Sequence, residues 1–247
     1  MNLYLVRHAQ AGDIKSNYDV LSEYGKYQSQ KLGKYFLEND LKFDLWIRGT
    51  LNRHKETMQL IQKEMGIEQN ELVLDCLDEI SENTFKNLLK YYIEKDKLLQ
   101  HLFKQLQNSN DLSKSKEIYI LILKNIFKNW IYDTTNPISY SHYKSKVLQI
   151  LEDLKQFATH HHLKNILIIS SGTPISILLG YVFGLTDEQS LNWMKKIYNT
   201  SISVFTVKKK HQIYLEPVSI NFCPHLQYKE QTLLKMMSNA FRDLYMV

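Results

Sequence analysis

The run Ile166–Ile169 constrains the fold more than any other part of the sequence, because it contains only isoleucine and leucine. Continuous apolar runs of this kind are typical of strands that are buried on both faces of a parallel sheet. A small polar turn over 170–174 follows, and Pro174 would lie near the first position of a helix. The order strand, turn, helix predicts an α/β fold.

A second unit of the same kind opens the chain. The apolar run Leu3–Val6 predicts a buried strand, and Arg7 and His8 follow it in a loop. Ser22 can cap the helix that comes next. The same patterns predict further strands at 43–47 and 72–74, and helices at 23–39, 51–65, 140–158 and 229–245.

The segment 85–131 has helical periodicity, with a polar interruption at 108–116. We interpret it as part of a helical cap insertion at about 84–138, placed over the carboxyl edge of the sheet, and its apolar stripes indicate packing rather than a ligand box. The predicted fold is therefore a single α/β domain over 1–247, a three-layer sandwich with a mostly parallel central sheet and this insertion.

Composition argues against several classes of protein. The net charge of +5 comes from lysines spread along the chain, which predicts a solvated surface without a nucleic-acid groove and fits an anionic small substrate equally well. The longest apolar stretch, 175–185, is too short to span a membrane. Cys76 and Cys223 do not form a disulfide framework, so a cytoplasmic location is predicted. The oligomeric state is left open.

The loops at the strand ends combine side chains that suit an anion. The Arg7 fork matches phosphate, and a neutral imidazole such as His8 can attack phosphorus. Arg53 falls in the first turn of a predicted helix, where a cation is unfavourable unless an anion binds nearby; a solvent-facing Arg53 is the alternative. Backbone amides around Gly172 would point at the same edge of the sheet.

The segment Leu3–Ala11 resembles the signature of the histidine phosphatase (phosphoglycerate mutase-like) superfamily, with Ala9 in place of the usual glycine. Later segments are similar to the motifs of that family and occur in the same order. They are 21–25 with Gln28, Gly49–Arg53 through Thr57, Leu77–Ile80, Asn199–Ile202 and Ile220–Leu226.

The resemblance implies a role for each matching residue. His8 would be the nucleophile that becomes phosphohistidine, and Arg7 and Arg53 would clamp the phosphoryl oxygens. Glu79 would be the general acid and then the base, with Glu82 as the alternative. No metal or other cofactor is needed for this chemistry. The predicted substrate-binding residues are Arg7, Arg53, Ser171, Gly172 and Gln10.

One position departs from the family pattern. The family's second histidine, which precedes a glycine after the late strand, is Ser171 here. Losing one preorganised donor typically lowers turnover about 10²–10³-fold. The turn also resembles that of a superfamily branch with Ser-Gly-Gly in place of His-Gly. Two functions stay open: weak phosphomonoester hydrolysis through phospho-His8, or a pseudophosphatase that binds a phosphorylated small molecule or phosphoprotein without turnover.

Other residues could replace the second histidine. The candidates are His54, His142 and Arg48, and spacing does not distinguish them. Arg48 stands where a small residue is common, so it either adds positive charge to the mouth of the site or is solvated. The trio His160–His162 indicates a surface turn, and His225 is expected to hold the last strand in place.

Overall fold

A mixed sheet of six strands is the centre of the fold in the computed structural model, which describes residues 1–12, 19–135, 139–160, 163–194, 196–209, 213–227 and 230. The strands are β1 (Asn2–Arg7), β2 (Leu45–Arg48), β3 (Glu71–Val73), β4 (Asn165–Ser170), β5 (Ile202–Lys209) and β6 (Ile213–Phe222). They lie in the order β3-β2-β4-β1-β5-β6. The pairings among β1 to β4 are parallel and those of β5 are antiparallel. The predicted mostly parallel α/β sheet is confirmed.

Helices occur where the periodicity predicts them. Ser22 caps the first of them, because its side chain accepts a hydrogen bond from the Gly25 amide at 2.9 Å. The sequence patterns did not predict the helix at 187–194, and the predicted helix at 229–245 lies outside the described residues. The described helices are α1 (Glu23–Glu38), α2 (Asn52–Glu64), α3 (Glu82–Lys95), α4 (Lys97–Gln107), α5 (Leu112–Tyr132), α6 (Tyr140–His160), α7 (Gly172–Phe183) and α8 (Asp187–Met194).

Both faces of the sheet are buried at its centre. In the β1–β4 pairing, Leu5 lies beside Ile168 and Val6 beside Ile169, and all four side chains are shielded from solvent. Val6 and Ile169 belong to a cluster that includes Phe36 of α1 and Met58 of α2. Burial on both faces explains why the run in β4 has no polar alternation.

The chain divides into two compact units. One contains the described residues of 1–79 and 147–230, and the other contains the described residues of 80–146. In the second unit Trp130 is buried and packs edge-on against Tyr140, with ring centroids 5.0 Å apart. The described part of this unit is helical, as the sequence predicts for that segment. That it caps the site stays a prediction.

Two local predictions are wrong. Pro174 is the third residue of α7, because the helix already begins at Gly172. Arg48 is the last residue of β2, and neither interpretation of it was correct. Its side chain is mostly buried in an ion pair with Glu71, with 2.5 Å between Nε and Oε2, so it is neither solvated nor an extra charge at the mouth.

His225 makes folding sensitive to pH. Burial lowers its pKa from 6.5 to about 4, and its Nε2 lies 2.9 Å from the Thr200 hydroxyl. As pH falls below 6.5 the unfolded chain takes up a proton that the folded chain refuses, so stability falls between about pH 6.5 and pH 4. We expect His225 to account for a loss of about 2 kcal/mol in unfolding free energy from about pH 7 to about pH 5.

Urea denaturation of the wild type and of His225→Gln at the two pH values measures this contribution. Glutamine keeps a hydrogen-bonding group near Thr200 but does not titrate in this range. The decrease in stability should therefore be about 2 kcal/mol smaller in the variant. An equal decrease in both proteins would contradict the assignment.

Candidate active site

The loops after β1, β2 and β4 meet at one edge of the sheet. The His8 amide donates to the Ser170 carbonyl at 2.9 Å, and the Gly49 amide donates to the Ile169 carbonyl at 3.2 Å. Neighbouring parallel strands have their carboxyl ends at the same edge of the sheet. The two hydrogen bonds therefore hold His8 beside the turn that contains Ser171. The predicted convergence of these loops is confirmed.

His8 is held in one orientation and in its neutral form. Only 3% of the residue is exposed, and Nδ1 lies 2.7 Å from the Ala9 carbonyl oxygen. Since a carbonyl only accepts, Nδ1 carries the proton and Nε2 keeps its lone pair. Burial, reinforced by the charges of Arg53 and Arg7 and by His54, lowers the pKa of His8 well below 6.5. The imidazole is therefore an uncharged base at neutral pH.

Arg53 lies against that lone pair. Its Nε donates to His8 Nε2 at 3.3 Å, and its residue is only 6% exposed, so the solvent-facing alternative is wrong. Its Nη1 lies 2.9 Å from Asp19 Oδ1, and Asp19 also accepts from the Asn52 amide at the start of α2. Sequence reasoning missed Asp19, because nothing in the polar segment around it distinguishes one carboxylate from another.

The Arg7 and His8 backbone is held by the segment before β5. The Asn199 side-chain amide donates to the His8 carbonyl at 2.8 Å, and the Thr200 amide donates to the Arg7 carbonyl at 2.9 Å. Thr200 has a φ of 57°, which is strained for a β-branched residue. The Arg7 guanidinium donates to the Ile197 carbonyl at 2.5 Å.

Glu79 lies at the start of α7. Its Oε2 accepts from the Thr173 amide at 3.2 Å, and a Cβ atom on Gly172 would be 3.7 Å from the same oxygen. The positive end of a helix favours an anion at this position. The structure thus places the predicted acid, Glu79, at the turn that carries Ser171.

His54 contacts Ser171, and this pairing was not predicted. Its Nε2 lies 2.7 Å from the Ser171 hydroxyl, its Nδ1 lies 3.5 Å from Asp78 Oδ1, and its ring centroid is 5.4 Å from that of His8. Both His54 and Ser171 are inaccessible to solvent. Of the proposed replacements for the second histidine, His54 is the one shown here to contact Ser171; His142 is an exposed residue of α6.

Residues 3–118 match the family model described as the histidine phosphatase superfamily (branch 1). The matched segment includes His8, Arg53 and Glu79, and it ends before Ser171. The match covers a little under half of the chain. No curated protein sequence matches the chain significantly.

Solved structures of several phosphatases share the fold of this chain. Alpha-ribazole phosphatase from Shigella flexneri has 17% identity and a TM-score of 0.57, over 90% of this chain and 96% of that one. A mycobacterial glucosyl-3-phosphoglycerate phosphatase in complex with inorganic phosphate has 16% identity and a TM-score of 0.58, over 92% and 99%. An Entamoeba histolytica phosphoserine phosphatase mutant in complex with phosphoserine has 19% identity and a TM-score of 0.56, over 92% and 99%.

Gln10 is held against α1. Its backbone amide donates to Gln28 Oε1 at 2.9 Å, and its side-chain Oε1 accepts from the Ser22 hydroxyl at 2.8 Å. A Cβ atom on Gly25 would lie 2.1 Å from the Gln10 carbonyl oxygen, so glycine is required there. A substrate contact by Gln10 stays a prediction.

No helix in the described part of the chain is long and apolar enough to cross a bilayer. Within the same residues, no group of three or more His, Cys, Asp or Glu side chains could hold a metal ion.

Gly49 makes room for His54 and Asp78 in the candidate site, and Gly49→Ala is expected to disrupt their positions. A Cβ atom there would lie 2.2 Å from His54 Nδ1 and 2.3 Å from Asp78 Oδ1. Overpacking of this kind costs about 1–3 kcal/mol of unfolding free energy, and it would separate His54 from Ser171. Urea denaturation measures the first effect, and turnover of an aryl phosphate measures the second.

Gly66→Ala is the matched control for this prediction. Gly66 has a φ of 66° and no atom within 4 Å of a built Cβ atom, so alanine there strains only the backbone. We expect the control to lose stability and keep its activity. Full activity in Gly49→Ala would show that the close contacts relax without cost.

Proposed function

We propose that this protein hydrolyses phosphomonoesters through a phosphohistidine on His8. The observation that carries the proposal is the state of His8: a buried, neutral imidazole whose Nε2 lone pair lies 3.3 Å from the Arg53 guanidinium. Attack on phosphorus needs both an uncharged nucleophile and a cation beside it, because negative charge on the phosphoryl oxygens repels the nucleophile. The match of residues 3–118 to the histidine phosphatase family model supports phosphatase-type activity.

In the first half-reaction, His8 Nε2 attacks phosphorus and the ester P–O bond breaks. Glu79, in its acid form, gives its proton to the leaving oxygen. Arg7 and Arg53 neutralise the phosphoryl oxygens, and the Gly172 amide at the start of α7 can donate a hydrogen bond to one of them. The products of this half-reaction are an alcohol and phospho-His8.

In the second half-reaction, water replaces the alcohol. The Glu79 carboxylate takes a proton from water as its oxygen attacks phosphorus, and the P–N bond breaks with its electron pair returning to His8 Nε2. Inorganic phosphate leaves, and Glu79 is again an acid. Glu82 remains the alternative acid.

A phosphorylated small molecule is the substrate class that we propose. Two of the structural neighbours were solved with phosphoserine or inorganic phosphate, which supports a ligand of that kind. A phosphoprotein is the second candidate, and the proposed location is the cytoplasm. A pseudophosphatase is the alternative function, because neutral Ser171 replaces a charged histidine and Asp19 already occupies one face of Arg53.

The experiment mixes the purified protein with an aryl phosphate and quenches the reaction in alkali. We expect a burst of phenol equivalent to the enzyme, followed by slow turnover, and a phosphoprotein that is stable in base and labile in acid. Saturable binding of the ester with no phosphate release would instead support the pseudophosphatase. Neither binding nor release would reject both functions.

A further inference from the structure

Ser171 does not use its hydroxyl as a helix cap. It is the N-cap residue of α7, yet its side chain accepts no hydrogen bond from the amides of that helix. The hydroxyl instead lies 2.7 Å from His54 Nε2 on α2, in a position that is sealed from solvent. A buried hydroxyl that gives up a helix cap for an imidazole indicates a specific pairing.

Asp78 faces the other nitrogen of His54. The Asp78 carboxylate accepts hydrogen bonds from the Thr50 amide and hydroxyl, which fix it 3.5 Å from His54 Nδ1. Burial alone would raise the pKa of Asp78, but the nearby His54 imidazole and the hydrogen bonds from Thr50 outweigh it and lower the pKa. A carboxylate, an imidazole and a hydroxyl therefore lie in a row, an arrangement that stabilises a protonated imidazole.

Charges of both signs face His54. Burial lowers its pKa most and the charge of Arg53 on the same helix lowers it further, whereas Asp78 and Glu79 raise it. The net shift is downward, so the imidazole is neutral before a dianion binds. A dianion bound beside His8 would add negative charge near the His54 ring and shift the balance toward the protonated form.

We propose that His54 supplies, from α2, the second imidazole that this site lacks at Ser171, and that it takes up a proton when a phosphate or sulfate dianion binds. This inference rests on the proposed function, since it assigns a positioning residue to the same site. While His54 is neutral, the Ser171 hydroxyl donates to Nε2. Once Nε2 is protonated it donates to the Ser171 oxygen, and the hydroxyl hydrogen becomes available to a phosphoryl oxygen.

Sulfate binding tests the proton uptake without requiring turnover, and sulfate does not titrate near neutral pH. Calorimetry in buffers of different ionisation enthalpy should show uptake of about one proton near pH 7 in the wild type. The same uptake should persist in His8→Ala, because the proton goes to His54. It should vanish in His54→Gln, which keeps an uncharged donor. Uptake that persists in His54→Gln, or that is lost in His8→Ala, would overturn the inference.

The second test transfers the imidazole from position 54 to position 171. His54→Ala should weaken sulfate binding about 10- to 100-fold, the value of a charge-assisted hydrogen bond. The double variant His54→Ala with Ser171→His should recover most of that loss, because the imidazole then occupies the position usual in the family. Unchanged binding in the single variant, or no recovery in the double variant, would overturn the inference. If sulfate binding behaves as expected but no ester is hydrolysed, the proposed function fails and the role of His54 stands.

Discussion

His8→Ala is expected to lower kcat for an aryl phosphate more than about 10⁴-fold, because the proposed reaction has no other route to a covalent phosphoryl intermediate. The acid-labile phosphoprotein should disappear with the activity. Sulfate should still bind, since Arg7 and Arg53 remain and a neutral imidazole contributes no charge. Steady-state kinetics, phosphate trapping and calorimetry measure the three outcomes.

His101→Ala is the control for this prediction. His101 is an exposed residue of α4, so its removal tests whether a histidine lost elsewhere affects turnover. We expect kcat to be unchanged. A kcat of His8→Ala equal to that of the wild type would reject His8 as the nucleophile.

Arg53→Ala is expected to lower kcat/KM about 10³-fold and to weaken sulfate binding in parallel. The guanidinium is the cation beside His8 Nε2, and alanine removes both its charge and its fork. Folding should change little, because its partner Asp19 is 36% exposed at its side chain and can be solvated by water. The loss therefore reports on binding and catalysis rather than on stability.

The same variant should alter the pH dependence of activity. After burial, the charge of Arg53 is the strongest influence that lowers the pKa of His8. Without that charge the pKa of His8 rises, so more of the nucleophile is protonated in mild acid, and activity should fall more at about pH 6 than at about pH 8. Arg53→Lys keeps the positive charge but loses the paired N–H donors of the guanidinium. It should therefore restore the wild-type pH dependence of activity more fully than it restores kcat/KM. A uniform loss at all pH values, with unchanged sulfate binding, would contradict this account.

The local patterns predicted much of the architecture but not β5, β6 or α8. The apolar runs in β1 and β4 predicted buried strands of a parallel sheet, and the structure pairs these two strands. Arg7, His8 and Arg53 could be named in advance because each lies at the end of a strand, directly after one, or in the first turn of a helix. The position of such a residue at the sheet edge depends on secondary structure alone.

The contacts among the side chains could not be predicted in the same way. His54 and Ser171 are 117 residues apart, and whether they touch depends on the rotation of α2 about its axis and on its packing against β4. The ion pairs of Arg48 and Arg53 also depend on tertiary packing, because Glu71 lies on a neighbouring strand and Asp19 lies in a loop. Hydrophobic periodicity determines which face of an element is buried, and it carries no information about which polar groups meet across that face. The four parallel strands, most of the helices and the edge that carries the site therefore follow from local order in this chain. The contact between the His54 imidazole and the Ser171 hydroxyl depends on how α2 packs on the sheet.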